Sequence, residues 1–253
     1  PDVIAEIVAR APVLDFISFQ MYGSLFRLHE RLAETGFEGP FMVTEWGTIG
    51  YWEMETTDWS TPIELHSTEK ADTFLRAYRD ILAPLDGHLI GSYAFYWGQK
   101  QERTPTWFGM LTEEGNLTEV VDVMQYSWTG NWPENRTPRV ETMLLDGRGA
   151  RESIRLAANQ SYEAVFDVRD PDGDAISYRW ELKPESKART GGGDYEDPLP
   201  SLGGFLSDAS AASTTLTAPP SGKYRLFAYA SDDQGRAAHA NIPFLVENEV
   251  VTE

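Results

Sequence analysis

A polar segment with two prolines, residues 131–138 (NWPENRTP), separates two halves of opposite character. Before it, apolar runs alternate with helical patterns, and after it short alternating segments follow one another without a helical pattern. Clusters of proline and polar residues mark boundaries between structural units. The sequence therefore predicts a first domain over residues 1–130, a linker over 131–138 and a second domain over 139–253. A chain of 253 residues is long enough for two domains.

The first half reads as strands separated by helices. Apolar runs at residues 13–21, 41–46 and 89–97 predict three strands, and helical spacing predicts helices over 24–35, 67–83 and 117–127. Strands that are apolar throughout and separated by helices are typical of a parallel sheet covered on both faces. The middle strand ends at Glu45, and barrel enzymes place catalytic groups at such strand ends. Three strand–helix units with chemistry at the strand ends are therefore expected.

The second half predicts a β sandwich. Turn signals such as DPDG at 170–173 and DDQG at 232–235 separate the short alternating segments. Regular short strands over about 110 residues are typical of an immunoglobulin-like sandwich. Trp180 occupies the place of the core tryptophan on the third strand, and Tyr224 fits the tyrosine corner. The predicted strands cover 139–145, 161–168, 175–182, 213–218, 223–230 and 237–246.

The net charge and the amino-acid composition exclude some classes of binding partner and of chemical site. The net charge of −19 argues against nucleic acid and anionic membrane surfaces. Without cysteine the chain has no disulfide, thiolate metal site or cysteine nucleophile. No run of about 18 apolar residues is present, so no membrane span is predicted. Eight Trp and eleven Tyr suit stacking on sugars, and burial in the core is the alternative for each of them.

The motif Thr44-Glu45-Trp46-Gly47 resembles the nucleophile strand of clan A glycoside hydrolases, particularly the family 2 type. The runs FQMYG at 19–23 and GSYAFYW at 91–97 resemble the strands before and after it in that family, and TWFGML at 106–111 resembles the following segment. The fold class that this implies is α/β plus all-β. Strands six to eight of a (β/α)8 TIM barrel would be followed by an immunoglobulin-like module similar to the polycystic-kidney-disease (PKD) type.

The resemblance implies a retaining glycoside hydrolase of β-linked glycans. Glu45 would be the nucleophile, Tyr22 would hydrogen-bond it, and Trp97 would line the sugar subsite; Trp46, Trp52, Trp59 and Trp107 are further candidates for stacking. Retention requires a second carboxylate as acid and base, which the family carries on a strand outside this chain. We therefore expect the rest of the barrel to come from the same longer protein or from another chain, and no activity of the isolated chain. An extracellular or periplasmic location, as of a secreted glycoside hydrolase, is also expected. A buried ion pair is the alternative role for Glu45.

Acidic turns of the second half predict a structural Ca²⁺ site. Hard cations bind several carboxylate oxygens in a tight turn, and Asp170, Asp172, Asp174, Asp232 and Asp233 are the candidate ligands. The alternative is a plain turn before a strand. No other cofactor is predicted. Two further functions stay open: a non-catalytic carbohydrate-binding or scaffold protein, and a Ca²⁺-dependent adhesion or filament subunit.

Overall fold

The structure is a computed structural model that describes residues 2–85, 87–188 and 192–248. Its first part contains four α-helices and three strands. They follow the order α1 (Asp2–Arg10), β1 (Ile17–Gln20), α2 (Leu28–Thr35), β2 (Phe41–Trp46), α3 (Ser67–Arg76), β3 (Leu89–Ala94) and α4 (Glu119–Thr129). A 3-10 turn, Gly23–Arg27, precedes α2, and a π-helical turn, Ala77–Leu82, continues α3 into a short 3-10 turn, Ala83–Leu85.

The three strands form a parallel sheet in the order β1-β2-β3. The middle strand is the most buried, and Phe41, Val43 and Trp46 contribute to a core that includes Phe74 of α3 and Met124 of α4. α3 begins with a capping box, in which His66 Nδ1 accepts from the Glu69 amide and Glu69 Oε2 accepts from the His66 amide. This cap explains why the helix starts at the position that the sequence predicts.

The prediction that the first part is a portion of a (β/α)8 barrel is wrong. Among the described residues the parallel sheet has three strands and is open, with β1 and β3 as its outer strands, whereas closure of a (β/α)8 barrel takes eight strands. The alternation of apolar strands and helices predicted a parallel sheet, which the structure has. The barrel was implied only by the resemblance to clan A glycoside hydrolases, and the strand-end motifs that carried it also fit an open parallel sheet. Most of the β structure lies instead in the second part of the chain.

The second part is a sandwich of two sheets. Its strands are β4 (Arg139–Leu145), β5 (Arg155–Ala157), β6 (Ser161–Arg169), β7 (Ser177–Pro184), β8 (Ser213–Thr217), β9 (Gly222–Ser231) and β10 (Ala237–Glu247), with a 3-10 turn at Ala150–Glu152. One sheet has the order β5-β10-β9-β7 and the other β4-β6-β8. Trp180 lies in the core between them and donates from Nε1 to the Ala211 carbonyl at 2.8 Å. The Tyr224 hydroxyl donates to the Pro220 carbonyl at 2.8 Å, as a tyrosine corner requires.

The two parts meet through buried polar groups. Glu64, from the loop before α3, accepts from Asn241 Nδ2 of β10 at 2.7 Å, and the Ser67 hydroxyl accepts from the His239 amide at 3.0 Å. Arg225 of β9 donates to the Pro62 carbonyl at 2.9 Å. The parts are therefore joined across a specific interface in addition to the covalent linker. In the described parts of the chain, no helix combines the length and apolar character that crossing a membrane requires.

Candidate functional site

A cleft of about 570 Å³ opens at the carboxyl ends of the parallel strands. Its lining combines aromatic rings, carboxylates and one ammonium: Gln20, Tyr22, Glu45, Trp52, Phe95, Tyr96, Lys100, Glu102, Gly192 and Gly193. The carboxyl edge of a parallel sheet is a usual place for ligand sites. We therefore treat this cleft as the candidate site.

Parallel pairing of β1 and β2 brings Tyr22 beside Glu45. Gln20 pairs with Glu45 after an irregularity in the register, and the Met21 amide donates to the Glu45 carbonyl at 2.8 Å. The Tyr22 hydroxyl hydrogen-bonds the Glu45 carboxylate. Burial and, next, the nearby Glu45 charge raise the pKa of Tyr22. Tyr22 is therefore a neutral donor beside Glu45, and the catalytic roles that the resemblance implied for the two residues stay predictions.

The turn after Tyr22 is fixed by Glu53. The Glu53 carboxylate accepts from the Gly23 and Ser24 amides, at 2.8 Å each, at the start of the 3-10 turn. A Cβ at position 23 would approach the Glu53 and Ile49 side chains to 3.1 Å, so glycine allows this close contact. Glu53 thereby satisfies free amides at the turn and holds Tyr22 at the edge of the cleft.

Aromatic rings form one wall of the cleft. Tyr22 makes edge contacts with Trp52 (5.5 Å between centroids), Phe95 (5.8 Å) and Phe108 (5.4 Å). Trp52 is 53% exposed and Tyr96 37% exposed, although both rings lie in this cluster. The cleft therefore presents aromatic surface to solvent. The Phe95–Tyr96 peptide bond is cis.

An ion pair that sequence reasoning missed lies in the same cleft. Lys100 Nζ lies 2.5 Å from Glu102 Oε2, and the Glu102 side chain is almost fully buried. Both residues come from the loop after β3, where no periodic pattern singled them out. A basic residue two positions before an acidic one was the available signal, but it is too common to be specific.

The sandwich also contributes to the cleft. Gly192 and Gly193, from the segment between β7 and β8, line it. An added Cβ on Gly192 would lie 3.7 Å from the Trp52 ring and 3.8 Å from a Glu102 carboxylate oxygen. The candidate site is therefore built from both parts of the chain, which the division into two domains did not anticipate.

Of the five predicted stacking tryptophans, the structure places Trp52 in the cleft lining. Trp46 and Trp107 are core residues, exposed by 0% and 1%. Trp97 is on the surface, stacked on Trp128 at 5.6 Å between centroids. Trp59 lies beneath the Arg155 guanidinium, 5.6 Å from its ring centroid.

The aspartates predicted to bind Ca²⁺ already accept hydrogen bonds. Asp170 Oδ1 accepts from the amides of Asp172 and Asp174, and Asp172 Oδ2 accepts from the Arg136 amide. Asp232 and Asp233 accept from Asn135 and Ser177. Within residues 2–85, 87–188 and 192–248, no three His, Asp or Glu side chains are grouped to hold a metal ion. The Ca²⁺ site stays a prediction.

Comparison with known proteins gives weak structural likenesses. No protein-family model and no curated protein matches the chain. A nucleoside hydrolase-related hypothetical protein from Saccharophagus degradans that is associated with carbohydrate metabolism is 17% identical, with a TM-score of 0.33 over 50% of this chain and 29% of that one. The PKD1 domain of Vibrio anguillarum Epp is 18% identical (TM-score 0.28, 46% of this chain and 99% of the domain). CopC from Methylosinus trichosporium OB3b is 14% identical (TM-score 0.26, 46% and 99%).

These findings correct the predicted family. The chain spans under a third of the Saccharophagus protein, and at such TM-scores a likeness assigns neither fold nor activity. No glycoside hydrolase family model matches, and the described strands form no barrel. The resemblance to clan A glycoside hydrolases is therefore wrong as a family assignment. It rested on short motifs at strand ends, which unrelated parallel sheets can share.

Proposed function

We propose that the cleft binds a neutral carbohydrate. The observation that carries the proposal is the presence, in one cleft, of the exposed aromatic rings of Trp52 and Tyr96 and the Tyr22-bound carboxylate of Glu45. A volume of about 570 Å³ is within the range of small-molecule sites. The net charge of −19 disfavours anionic ligands outside locally basic regions.

Sugar chemistry matches this lining. A pyranose has an apolar C–H face, which packs on an aromatic ring, and a rim of hydroxyls that donate and accept hydrogen bonds. Trp52 and Tyr96 supply the rings, while Glu45 accepts from hydroxyls and the Lys100 ammonium donates to them. Tyr22 occupies part of the Glu45 carboxylate and leaves acceptor capacity for a ligand, since a carboxylate has about four acceptor positions.

Calorimetric titration with neutral β-linked oligosaccharides tests the proposal. Glucan, mannan and galactan tetrasaccharides are suitable probes, and we expect one of them to bind. Trp52→Ala should weaken that binding about tenfold or more, because an aromatic contact surface is lost. Trp128→Ala is the matched control, since Trp128 is 57% exposed and does not line the cleft. Equal losses in the two variants, or no binding by the unchanged protein, would contradict the proposal.

Cleavage of a β-linked glycan with Glu45 as nucleophile stays a prediction. The Tyr22–Glu45 hydrogen bond supports it, because it positions one carboxylate oxygen. A retaining reaction also needs a carboxylic acid that donates a proton, and Glu102 is engaged by Lys100. Incubation with a 2-deoxy-2-fluoroglycosyl fluoride followed by peptide mass spectrometry separates the two functions. A label on Glu45 would establish a nucleophile, whereas binding without a label is expected for a binding site.

A further inference from the structure

A second cavity, of about 680 Å³, lies between the sandwich and the first part of the chain. Its charged lining residues are Arg103, Lys187, Lys223 and Glu185, and its hydroxyl-bearing ones include Ser60, Thr61, Ser186 and Ser221. The cavity and the cleft are neighbours, since Glu102 lines the cleft and Arg103 the cavity, but no described residue lines both. The cavity is therefore a distinct site.

The charge of this cavity is opposite to that of the whole chain. Among the described residues, three cationic side chains line it in a protein of net charge −19. Glu185, the acid among the described lining residues, is bound by the Arg225 guanidinium through two contacts of 3.0 and 3.1 Å. Its charge is therefore balanced from outside the cavity. A second carboxylate, that of Glu196, accepts from the Arg103 amide and the Ser186 hydroxyl beside the cavity. The three described cations outnumber it, and such an excess of positive charge attracts anions.

Arg103 is held in place before any ligand arrives. Its backbone lies in the left-handed region (φ 63°), its amide donates to Glu196 Oε2 at 3.0 Å, and its Nη1 donates to the Ala188 carbonyl at 2.6 Å. The guanidinium also lies 5.2 Å from the Tyr51 ring centroid. Of the five N–H donors of this guanidinium, the described residues engage one, at Nη1. A fixed guanidinium with unused donor capacity matches the planar carboxylate group.

The two lysines of the cavity supply positive charge for a second anionic group of a ligand. Lys223 Nζ donates to the Trp59 carbonyl at 2.8 Å, which fixes the ammonium and leaves further donors, since an ammonium has three. Lys187 is exposed at the rim. The volume is far larger than a single oxyanion needs, and the hydroxyl groups of the lining suit a hydroxylated ligand.

We propose that this cavity binds a small polyhydroxylated molecule that carries carboxylates, the chemistry of a uronic-acid oligosaccharide. Arg103 pairs with one carboxylate, and Lys187 and Lys223 provide charge for another. This inference goes beyond the neutral-sugar cleft and does not depend on it.

Titration with trigalacturonate and with its fully methyl-esterified form tests the proposal on the intact protein. The two probes have nearly the same size and differ in charge. We expect the acid form to bind at least about tenfold more tightly than the ester, the difference of one charge-assisted hydrogen bond or more. Equal binding of the two probes, or no binding of the acid form, would overturn the proposal.

Two matched double variants locate the binding. Lys187→Gln with Lys223→Gln should weaken trigalacturonate binding about tenfold or more. Arg10→Gln with Arg79→Gln gives the same net charge and removes two exposed helix cations away from the cavity, so it should leave the affinity unchanged. Glu45→Gln should also leave it unchanged, because Glu45 lies in the cleft. An equal loss in the control double variant, or a loss on Glu45→Gln, would place the anion elsewhere and refute the site.

Discussion

Two glutamates in this molecule occupy opposite kinds of surroundings. Glu64, at the junction of the two parts, is fully buried and accepts from Lys70 Nζ (2.5 Å), Thr104 Oγ1 (2.7 Å), Thr106 Oγ1 (2.8 Å) and Asn241 Nδ2 (2.7 Å). Burial alone would raise the pKa of Glu64, but Lys70, His239 and Arg225 outweigh it and lower that pKa to about 2. Glu45 is partly exposed and faces the cleft, where Tyr22 bonds it.

The comparison teaches how to separate a structural carboxylate from one available to a ligand. Each oxygen of Glu64 accepts two hydrogen bonds from the protein, so its acceptor capacity is filled. Glu45 retains capacity and a route to solvent through the cleft. The position of a glutamate in the sequence does not show whether its carboxylate is free for a ligand. Glu45 ends a strand and keeps acceptor capacity, whereas Glu64 lies in a loop and is fully hydrogen-bonded by the protein.

The largest expected effect is on folding. Glu64→Ala would leave the Lys70 ammonium buried without its charge partner, and three further donors would lose their acceptor. Removal of one member of a buried ion pair costs about 3–5 kcal/mol, so the urea midpoint should fall sharply. Glu45→Ala is the matched control and should change the free energy of unfolding by less than about 1 kcal/mol. Similar losses of stability in Glu64→Ala and Glu45→Ala would contradict the distinction between a structural carboxylate and one that is available to a ligand.

A pH-dependent effect is expected at a second junction carboxylate. Glu119, the first residue of α4, contacts Arg139 of β4. Burial, outweighing Arg139, raises the pKa of Glu119 to about 7 from an ordinary value of 4.5. The folded state therefore binds more protons than the unfolded state between pH 4.5 and 7. The contribution of Glu119 to stability rises as the pH falls through this window, by roughly 3 kcal/mol in all.

Glu119→Gln should remove that contribution, and urea unfolding of both proteins from pH 8 to pH 4.5 measures it. Other groups also titrate; burial lowers the pKa of His239 to about 3, so its contribution to stability decreases as the pH falls from 6.5. Such contributions are the same in the unchanged protein and in Glu119→Gln, so they cancel when the two free energies of unfolding are subtracted at each pH. A difference that stays constant with pH would show that Glu119 does not titrate in this range.

The smallest expected effect is at Tyr22. Tyr22→Phe keeps the ring contacts with Trp52, Phe95 and Phe108 and removes the hydrogen bond to Glu45. A hydrogen bond of this kind is worth about 1 kcal/mol, so affinity for the neutral oligosaccharide should fall about fivefold with little change in stability. Unchanged affinity would show that Tyr22 does not orient Glu45 for the ligand.

Local patterns predicted much of the secondary structure. Alternation identified six sandwich strands close to their observed bounds, because each has one face in the core. β5 was missed, since three residues are too few for alternation to be read. The barrel portion was implied by the resemblance of short strand-end motifs, and such motifs do not specify how many strands assemble into one sheet.

The candidate site was harder to predict. The pairing of Tyr22 with Glu45 was expected only from the resemblance to clan A glycoside hydrolases, and the parallel pairing of β1 and β2 supplies the physical reason why the two residues are close. Glu102, Lys100 and Gly192 come from loops, where side-chain positions depend on tertiary contacts that have no sequence period. The same holds for Glu64, whose partners Thr104 and Asn241 are distant in the chain.

The sandwich segment that reaches the cleft at Gly192 and Gly193 has an evolutionary consequence. A domain that is joined to its neighbour by a linker alone can be exchanged between proteins without any effect on the neighbour's structure or ligand site. Here a replacement of the sandwich would remove part of the cleft wall and break the contacts of Arg225, His239 and Asn241 with the first part. The two parts are therefore expected to be inherited as one unit, and recombination within residues 131–138 should be selected against.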